Sequence, residues 1–410
     1  MTEAHRAKLE PVSGNTRETR PANNSYFPAL DGLRAVAFLM VFALHYLSAY
    51  LPVSFGWAGV DVFFVLSGFL ITGILYDTRD APFRFHNFYL RRTMRIFPLY
   101  YGVFLLLALF YPLCHWQWNW GWLAWPAYLG NFAVFFRSAV SSVPGSVAGA
   151  ELVSTTFPKL WLNLGHFWTL CVEEQFYLFW PLAVFAIKDR RKLIYFCIPF
   201  LILCPLLRIY ADHFLPTFAL QADALNYATV FHLDALLLGA VIALVRRGPA
   251  AKYLPTIARS VLTIIAVVVV LWLLLNPAAR HTPPGYVMPL WRLNAKVNIA
   301  DLISAGIIIM ALEYRSITFR LLNQAPLRWL GRISYGAYVF HAIPHLWFLH
   351  LLQPYFRDPG LPTAALAFVF TLVLSSASFR YFETPFIRLK DRYTKRSAVS
   401  SRSASAEVTQ

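Results

Sequence analysis

Charged residues are scarce in this sequence. They make up 14% of its 410 residues, whereas a soluble domain carries about 25%. Hydrophobic residues reach 58%, and the mean hydropathy is +0.52. These values exclude an ordinary soluble domain and indicate one membrane domain with short polar tails.

Cysteine is also rare, and no cysteine forms a metal-type pair. The four cysteines are Cys114, Cys171, Cys197 and Cys204. We therefore expect neither a disulfide framework nor a metal site. Residues 1–25 lack the apolar core of a secretion signal, so we expect no removable signal peptide.

Acidic residues are outnumbered by basic ones, which gives a formal net charge of +16. In a soluble protein this excess would favour nucleic-acid binding. Here the basic residues lie in short segments between apolar runs, as membrane topology requires. The charge therefore predicts a lipid bilayer as partner and no nucleic acid.

The apolar runs predict an all-α integral membrane fold of ten transmembrane helices, since a span needs about 20 mostly apolar residues. The predicted spans lie near 30–50, 57–76, 96–113, 173–187, 193–209, 228–245, 260–275, 297–313, 333–352 and 361–381. The stretch 120–136 is apolar but contains proline and glycine. It is interpreted as interfacial or re-entrant.

The distribution of Lys and Arg orients these spans. With a cytoplasmic N-terminus, the inward segments hold 27 Lys and Arg residues and the outward loops hold 6. The positive-inside rule therefore predicts that both termini are cytoplasmic. The membrane domain is expected over 26–390, with disordered cytoplasmic segments at 1–25 and 391–410.

The first predicted span contains the basic residues Arg34 and His45. Eleven residues of α-helix return close to the same face and rise about 16 Å, so both side chains share one stripe. Ionisable groups inside a bilayer are costly and commonly functional. The alternative is that Arg34 reaches the interface and His45 is a bonded core residue.

Two further clusters carry candidate chemistry. Arg92 and Arg95 lie three residues apart at the predicted start of the third span, where guanidinium groups suit phosphate binding; the alternative is simple topology. Glu173 and Glu174 stand at the predicted outward start of the fourth span. They would activate a hydroxyl or orient a histidine, or else stabilise a helix N-terminus.

Other polar residues are weaker candidates. Each is interpreted either as part of a site or as an interfacial or core residue: Asp61, Asp234, Ser334, Tyr335 and His341. A loop histidine, His166, is another such residue. The aromatic stretch 116–128 is interpreted as an interfacial belt, with a platform for sugar rings as the alternative.

The order of these pieces resembles the membrane acyltransferase family 3, which includes O-antigen, exopolysaccharide and Nod-factor acyltransferases. The resemblance covers roughly 26–390. It rests on ALDGLRAVAFLMVFALHY at 29–46, GVDVFFVLSGFLIT at 59–72, RRTMRIFPLY at 91–100, FWTLCVEEQFYLFWP at 167–181, FHLDALLLGAVIA at 231–243, LGRISYGAYVFH at 330–341 and YFETPF at 381–386.

The resemblance implies an acyl-CoA donor, usually acetyl-CoA, with no bound cofactor. It implies a glycan or glycolipid acceptor in a bacterial inner membrane. Arg34 and His45 match a pair needed for activity, Arg92 and Arg95 match a donor-binding element, and Glu173 belongs with Glu174 to the acidic segment. We expect no appended periplasmic esterase-like domain.

Two departures from the family pattern are visible. Thr169 and Cys171 replace serines beside the glutamates, and His232 replaces an arginine two residues before Asp234. Three functions compete: an O-acyltransferase, a transporter or glycolipid flippase, and a structural membrane subunit. His45 would act either as a general base or as a transient acyl carrier.

Overall fold

The computed structural model describes residues 26–51, 55–116, 123–132, 151–153, 156, 160–215, 225–275 and 290–394. The helices in the first half are α1 (Pro28–Leu47), α2 (Ala58–Asp77), α3 (Arg84–Leu109), α4 (Tyr111–Cys114), α5 (Trp168–Ala186), α6 (Arg190–Ile209) and α7 (Ala211–Phe214). Two three-residue strands, β1 (Glu151–Val153) and β2 (Trp161–Asn163), form an antiparallel pair before α5.

The second half continues as helices. They are α8 (Leu233–Arg246), α9 (Leu254–Leu275), α10 (Leu290–Ala311), α11 (Ile317–Leu322), α12 (Ala325–Arg332), α13 (Ser334–His341), α14 (His345–Leu352), α15 (Gly360–Ala377) and α16 (Thr384–Tyr393). A π-helical segment, Ser378–Glu383, joins α15 to α16.

Local chemistry explains several helix starts. Pro28 occupies the first turn of α1, where its missing N–H costs nothing. Asp189 caps α6 by accepting a 2.8 Å hydrogen bond from the Lys192 backbone N–H. This bond lowers the pKa of the Asp189 carboxyl group. Ser316 caps α11 in the same way, through the backbone N–H of Phe319.

Seven described helices are long and apolar enough to cross a bilayer. They are Pro28–Leu47, Ala58–Asp77, Arg84–Leu109, Arg190–Ile209, Pro249–Trp272, Trp291–Ala311 and Gly360–Lys390. The other three predicted spans correspond to α5, to the 14-residue α8 and to the α13–α14 pair. The all-α membrane fold is confirmed, with the small strand pair as an addition.

Three predicted boundaries were wrong. The span predicted at 333–352 is two helices, because Pro344 has no backbone N–H to continue the first one. α3 begins at Arg84 and α5 at Trp168, well before their predicted starts. The first turns of α3 are polar, with Arg84, His86 and Asn87, so hydropathy alone placed its start too late.

The predictions for the two chain ends and for the long loop fall partly outside the described residues. Residues 1–25 and 395–410 lie outside them, while α16 continues to Tyr393, past the predicted domain boundary at 390. Residues 117–122 of the aromatic stretch also lie outside. The described part of the apolar stretch, 123–132, forms turns and short helical turns and no span.

α2 is the central helix of the fold. It packs most extensively against α8, and also against α1, α5 and α10. α9 packs on α10 but exposes most of its apolar side chains, as a lipid-facing helix does. The core therefore lies around α2, and the polar groups that reach it must be satisfied by neighbouring helices.

Two glycines allow α2 and α8 to touch. A Cβ atom at Gly68 would overlap the carbonyl oxygen of Leu236, and one at Gly239 would overlap the carbonyl oxygen of Val65. Small residues at such crossings let two helix backbones approach closely in a membrane. The contact is reciprocal, so it fixes the crossing point of both helices.

We expect Gly68→Ala to destabilise the protein by about 1–3 kcal/mol, since its methyl group meets backbone that cannot rotate away. Thermal unfolding of the detergent-solubilised protein measures the effect. Gly102→Ala in α3 is the matched control, because its Cβ would meet only the Phe382 ring, at 3.4 Å. Equal stability of the two variants would contradict the proposed backbone contact.

Candidate active site

A cavity of about 730 Å³ lies between α1, α2, α3, α5, α12, α13 and the π-helical segment. Its charged lining residues are four basic and four acidic side chains: Arg34, Arg92, Arg95, Arg332, Asp31, Glu173, Glu174 and Glu383. Its hydroxyl-bearing lining residues are Tyr26, Ser67, Thr169, Tyr177, Ser334, Tyr335 and Tyr338. The cavity is thus large enough for an organic ligand and carries both signs of charge.

α1 carries Arg34 into this cavity, where Arg34 already has a partner. Its Nη1 lies 2.6 Å from Asp31 Oδ1, and the Tyr26 hydroxyl donates to Asp31 Oδ2 at 2.7 Å. The bond to this carboxylate raises the pKa of Tyr26, so the hydroxyl stays a donor. Asp31 therefore holds the Arg34 guanidinium in a fixed orientation, a role that the sequence did not reveal.

Arg92 and Arg95 lie in the third and fourth turns of α3 and also line the cavity. The Arg92 guanidinium lies 4.2 Å from the centre of the Tyr177 ring, and its buried Nε has no hydrogen-bond partner. In the described part of the chain, neither arginine forms an ion pair with an acidic side chain. These two cations are therefore not neutralised by a direct ion pair within the cavity.

The two glutamates lie in this same cavity. Because α5 starts at Trp168, Glu173 and Glu174 occupy its second turn and not its start, so the helix-dipole alternative fails. Glu173 lies beside the hydrogen-bonded hydroxyls of Ser67 and Tyr177 and within the field of Arg92. Glu174 Oε1 is buried without a hydrogen-bond partner. Glu174 therefore has an oxygen free to meet a ligand in the cavity, whereas Glu173 already has polar neighbours in the protein.

His45 lies elsewhere, in a cluster with two other histidines. Its ring centre is 5.2 Å from that of His341, which is 4.9 Å from that of His166. His45 is exposed, and the other two are buried. A glutamate that orients His45, one of the alternatives from the sequence, is not among the described contacts of His45, which are to His341 and to the Val41 carbonyl.

Backbone carbonyls set the tautomers of these rings. His45 Nδ1, His341 Nδ1 and His166 Nε2 lie 2.8, 2.7 and 2.9 Å from carbonyl oxygens. A carbonyl oxygen only accepts, so each of these nitrogens carries a hydrogen. In the neutral rings the opposite nitrogens carry lone pairs, and those of His166 and His341 have no partner. The neutral His45 ring thereby carries its lone pair on Nε2.

A thin wall separates the cavity from the histidines. Thr169 and Tyr338 line the cavity, and the Thr169 hydroxyl donates to the Tyr338 oxygen at 2.8 Å. The Tyr338 ring also contacts His166 and His341, at 5.6 and 5.4 Å between ring centres. Tyr338 therefore has one side toward the cavity and another toward the imidazoles.

The other sequence candidates divide into two groups. Ser334 and Tyr335 line the cavity, although the Tyr335 hydroxyl donates to the Ile96 carbonyl at 2.8 Å. Asp61 and Asp234 are buried outside the cavity and are not interfacial charges. Asp234 forms a two-bond ion pair with Arg208 of α6. Arg208 thus gives Asp234 a cationic partner in a chain that has His232 where the family pattern has an arginine.

The sequence matches the family of acyltransferase domains over residues 27–380. The chain belongs to this acyltransferase family. The match includes α1 to α15 and hence nearly the whole cavity lining. The cavity and the histidine cluster thus lie within the acyltransferase domain itself.

Three curated relatives show what the chain is similar to. It is 27% identical to the peptidoglycan O-acetyltransferase OatA of Listeria monocytogenes over 90% of this chain and 57% of the relative. It is 27% identical to the putative peptidoglycan O-acetyltransferase YrhL of Bacillus subtilis over 88% and 55%. It is 26% identical to a putative O-acetyltransferase of Staphylococcus aureus over 88% and 57%.

The chain spans a little over half the length of these relatives. No solved structure matches it.

Several residues of the site were missed by sequence reasoning. Asp31, Ser67, Tyr177, Tyr338 and Glu383 line the cavity without having been singled out. The spacing Asp31-x-x-Arg34 was a readable signal, because residues three apart on a helix can pair. The hydroxyl residues have no such signal, since each sits singly in an apolar run.

The Arg208–Asp234 pair gives a direct test of burial. Arg208→Met should destabilise the protein by about 3–5 kcal/mol, because it leaves a buried carboxylate unpaired. Arg191→Met, an exposed position on the same helix, should change stability by no more than about 0.5 kcal/mol. Thermal unfolding in detergent compares them, and a stable Arg208→Met variant would show that the pair is dispensable.

Proposed function

We propose that this protein transfers an acyl group, acetyl in the first instance, from cytoplasmic acyl-CoA to a hydroxyl of a cell-surface glycan or glycolipid. Arg34, Arg92 and Arg95 bind the donor phosphates, and His45 acts on the transferred group. The protein crosses a bacterial inner membrane ten times, with both termini in the cytoplasm. Acyl-CoA is the donor substrate, and no cofactor is bound.

The observation that carries this proposal is the course of α1. One unbroken helix places Arg34 in the cavity and His45 in the histidine cluster, about 16 Å apart along the axis. A pantetheine arm is of the same order of length. A donor whose phosphates lie at the arginines would thus bring its thioester toward the Tyr338 wall.

The proposed topology agrees with this direction of entry. The cavity is lined by Tyr26 just before α1, by Ile74 near the end of α2 and by Arg332 at the end of α12. These helix ends face the cytoplasm if the segments rich in Lys and Arg do. His45, near the opposite end of α1, is then on the side from which a glycan arrives.

The chemistry balances without an added reagent. The acceptor oxygen forms a bond to the acyl carbon, the carbon–sulfur bond breaks, and the hydroxyl proton passes to the thiolate. As a general base, His45 Nε2 takes that proton first. As a carrier, Nε2 itself takes the acyl group and passes it to the hydroxyl.

The glutamates act within the cavity in this proposal. Glu174 Oε1 has no partner and lies among the arginines, so it accepts a proton from a bound group or orients that group. Glu173, next to the Ser67–Tyr177 hydroxyl pair and Arg92, keeps the guanidinium in place for the donor. Neither role requires contact with His45.

The acceptor class is supported by the names of the relatives. Two of them are named for peptidoglycan, so we propose a cell-envelope glycan hydroxyl as acceptor, with peptidoglycan tested before lipopolysaccharide or exopolysaccharide. His45 is accessible to solvent while His166 and His341 are buried, so an arriving acceptor hydroxyl meets His45 first.

Donor binding is tested by replacing one cavity cation. Arg95→Ala should raise the KM for acetyl-CoA about tenfold or more, since a hydrogen bond to a charged group contributes about 1.5–3 kcal/mol. Arg91→Ala is the matched control: Arg91 is exposed, lies on the same helix and does not line the cavity. If both variants raise the KM equally, general surface charge and not the cavity binds the donor.

The role of His45 is tested with labelled acetyl-CoA supplied to inside-out membrane vesicles, with label followed into glycan. His45→Ala should lower kcat by about 10²–10⁴-fold, as loss of a general base does. Arg34→Ala should mainly raise the KM. Retained transfer in His45→Ala would remove His45 from the chemistry.

The same vesicles separate the two roles of His45 and the rival function. An acyl-enzyme trapped in the wild type and lost in His45→Ala supports the carrier role, whereas its absence supports the base role. A transporter or flippase would show glycan movement that does not depend on any acyl-CoA. That result would overturn the proposal.

A further inference from the structure

A second group of buried charges lies outside the cavity, where α2, α6, α8 and α10 meet. Its carboxyl groups are Asp61, Asp234 and Asp301, which are 3%, 5% and 4% exposed. Its cations are Arg208, only 2% exposed, and Lys296, which is half-buried. The charges lie close enough to act on one another. None of the five residues lines the cavity.

Arg208 is fully used by other partners. Its Nε donates to Asn294 at 2.9 Å, Nη1 donates to the Phe231 carbonyl and to Asp234, and Nη2 donates to Asp234 and to Asn298. A guanidinium group has five N–H donors, so none is left. Arg208 thus neutralises Asp234 and offers no hydrogen bond to Asp61 or Asp301.

Asp61 and Asp301 are left without such a partner. Asp61 Oδ2 and Asp301 Oδ1 are buried and have no hydrogen-bond partner among the described residues. The ammonium group of Lys296 lies 4.4 Å from the centre of the Trp57 ring, and its charge acts on Asp61. Two unpaired carboxylates in an apolar interior are costly.

The charge count shows what removes this cost. Three ionised carboxylates and two cations leave one negative charge in excess. One added proton makes the cluster neutral and turns one acceptor oxygen into a donor.

Among the described residues of the neighbouring elements, two other titratable groups are His232 ahead of α8 and Cys204 of α6. The Nε2 of His232 is committed to the Asn226 carbonyl at 3.1 Å. A bound metal cation is a poorer fit than a proton, because no three acidic, cysteine or histidine side chains in the described ranges are placed as metal ligands.

We propose that Asp61 and Asp301 together hold one proton and form a proton-binding site between α2 and α10. Two like charges that cannot both ionise titrate as one unit with a single shared proton. The site lies within the membrane domain and does not depend on the proposed acyl transfer. A proton bound there is available to any step that needs one inside the protein.

The experiment uses dicyclohexylcarbodiimide, an apolar reagent that adds to a protonated carboxyl group and gives a stable N-acylurea. The full-length protein in detergent is treated at near-neutral and at alkaline pH, and the modified positions are found by mass spectrometry. We expect an adduct at Asp61 or Asp301 near neutrality, its loss at alkaline pH, and none at Asp234. Absence of an adduct at both aspartates near neutrality would overturn the proposal.

Charge-matched variants test whether the proton is shared. Asp301→Asn removes the excess negative charge, so labelling of Asp61 should fall to background, and Asp61→Asn should do the same to Asp301. Asp77→Asn is the control, since Asp77 is a half-exposed partner of Arg247 at the end of α2, and it should leave labelling unchanged.

Two outcomes would contradict the shared proton, and one measurement remains if a variant does not fold. Persistent labelling of Asp61 in Asp301→Asn would overturn the shared proton, because each carboxyl would then hold its own. Labelling that falls when sodium is added at constant pH would overturn the proton in favour of a cation. If a variant fails to elute as a folded protein, the pH dependence of the wild-type adduct decides alone.

Discussion

The cost of placing charge in an apolar interior governs the organisation of this protein. A lone ion among lipid-facing helices would be expelled or neutralised, so ionisable side chains persist only where others meet them. The structure collects most of its buried charges into two groups. One borders an open cavity, and the other is closed between four helices. The difference between them is access: only the cavity leaves polar atoms exposed to an incoming molecule.

Side chains of the same type have different roles in the two groups of charges. Arg34 and Arg208 are both arginines in membrane helices, and each has an aspartate partner. Arg34 donates one described hydrogen bond, to Asp31, and its other N–H groups can reach the cavity. Arg208 donates all of its N–H groups to other residues of the protein. The first arrangement suits ligand binding, and the second ties α6, α8 and α10 together.

Much of the fold followed from the sequence, because hydropathy and helical rise act locally. The apolar runs located the long helices, and the Arg34–His45 spacing correctly placed both residues on one continuous helix. The break at Pro344 was missed because the apolar composition continues through it. The early starts of α3 and α5 were missed because each helix begins before its apolar run. Tertiary contacts decide these boundaries.

The site was predictable as a set of residue types but not as a geometry. The arginines and glutamates were named from the sequence, yet their common cavity depends on how α1, α3 and α5 cross. For the same reason the sequence left open whether a glutamate orients His45 or activates a hydroxyl, while the structure places His45 in a cluster with His341 and His166. Sequence spacing does not fix whether His45 packs beside the glutamates or beside the other histidines, because that depends on how the helices cross.

The glycine contact between α2 and α8 has a mechanical consequence. Two helices that meet backbone to backbone cannot slide or rotate past each other without first separating, because no side chain lies between them to yield. Any rearrangement of the bundle must therefore carry α2 and α8 together as one unit, with the hinge at other helix contacts.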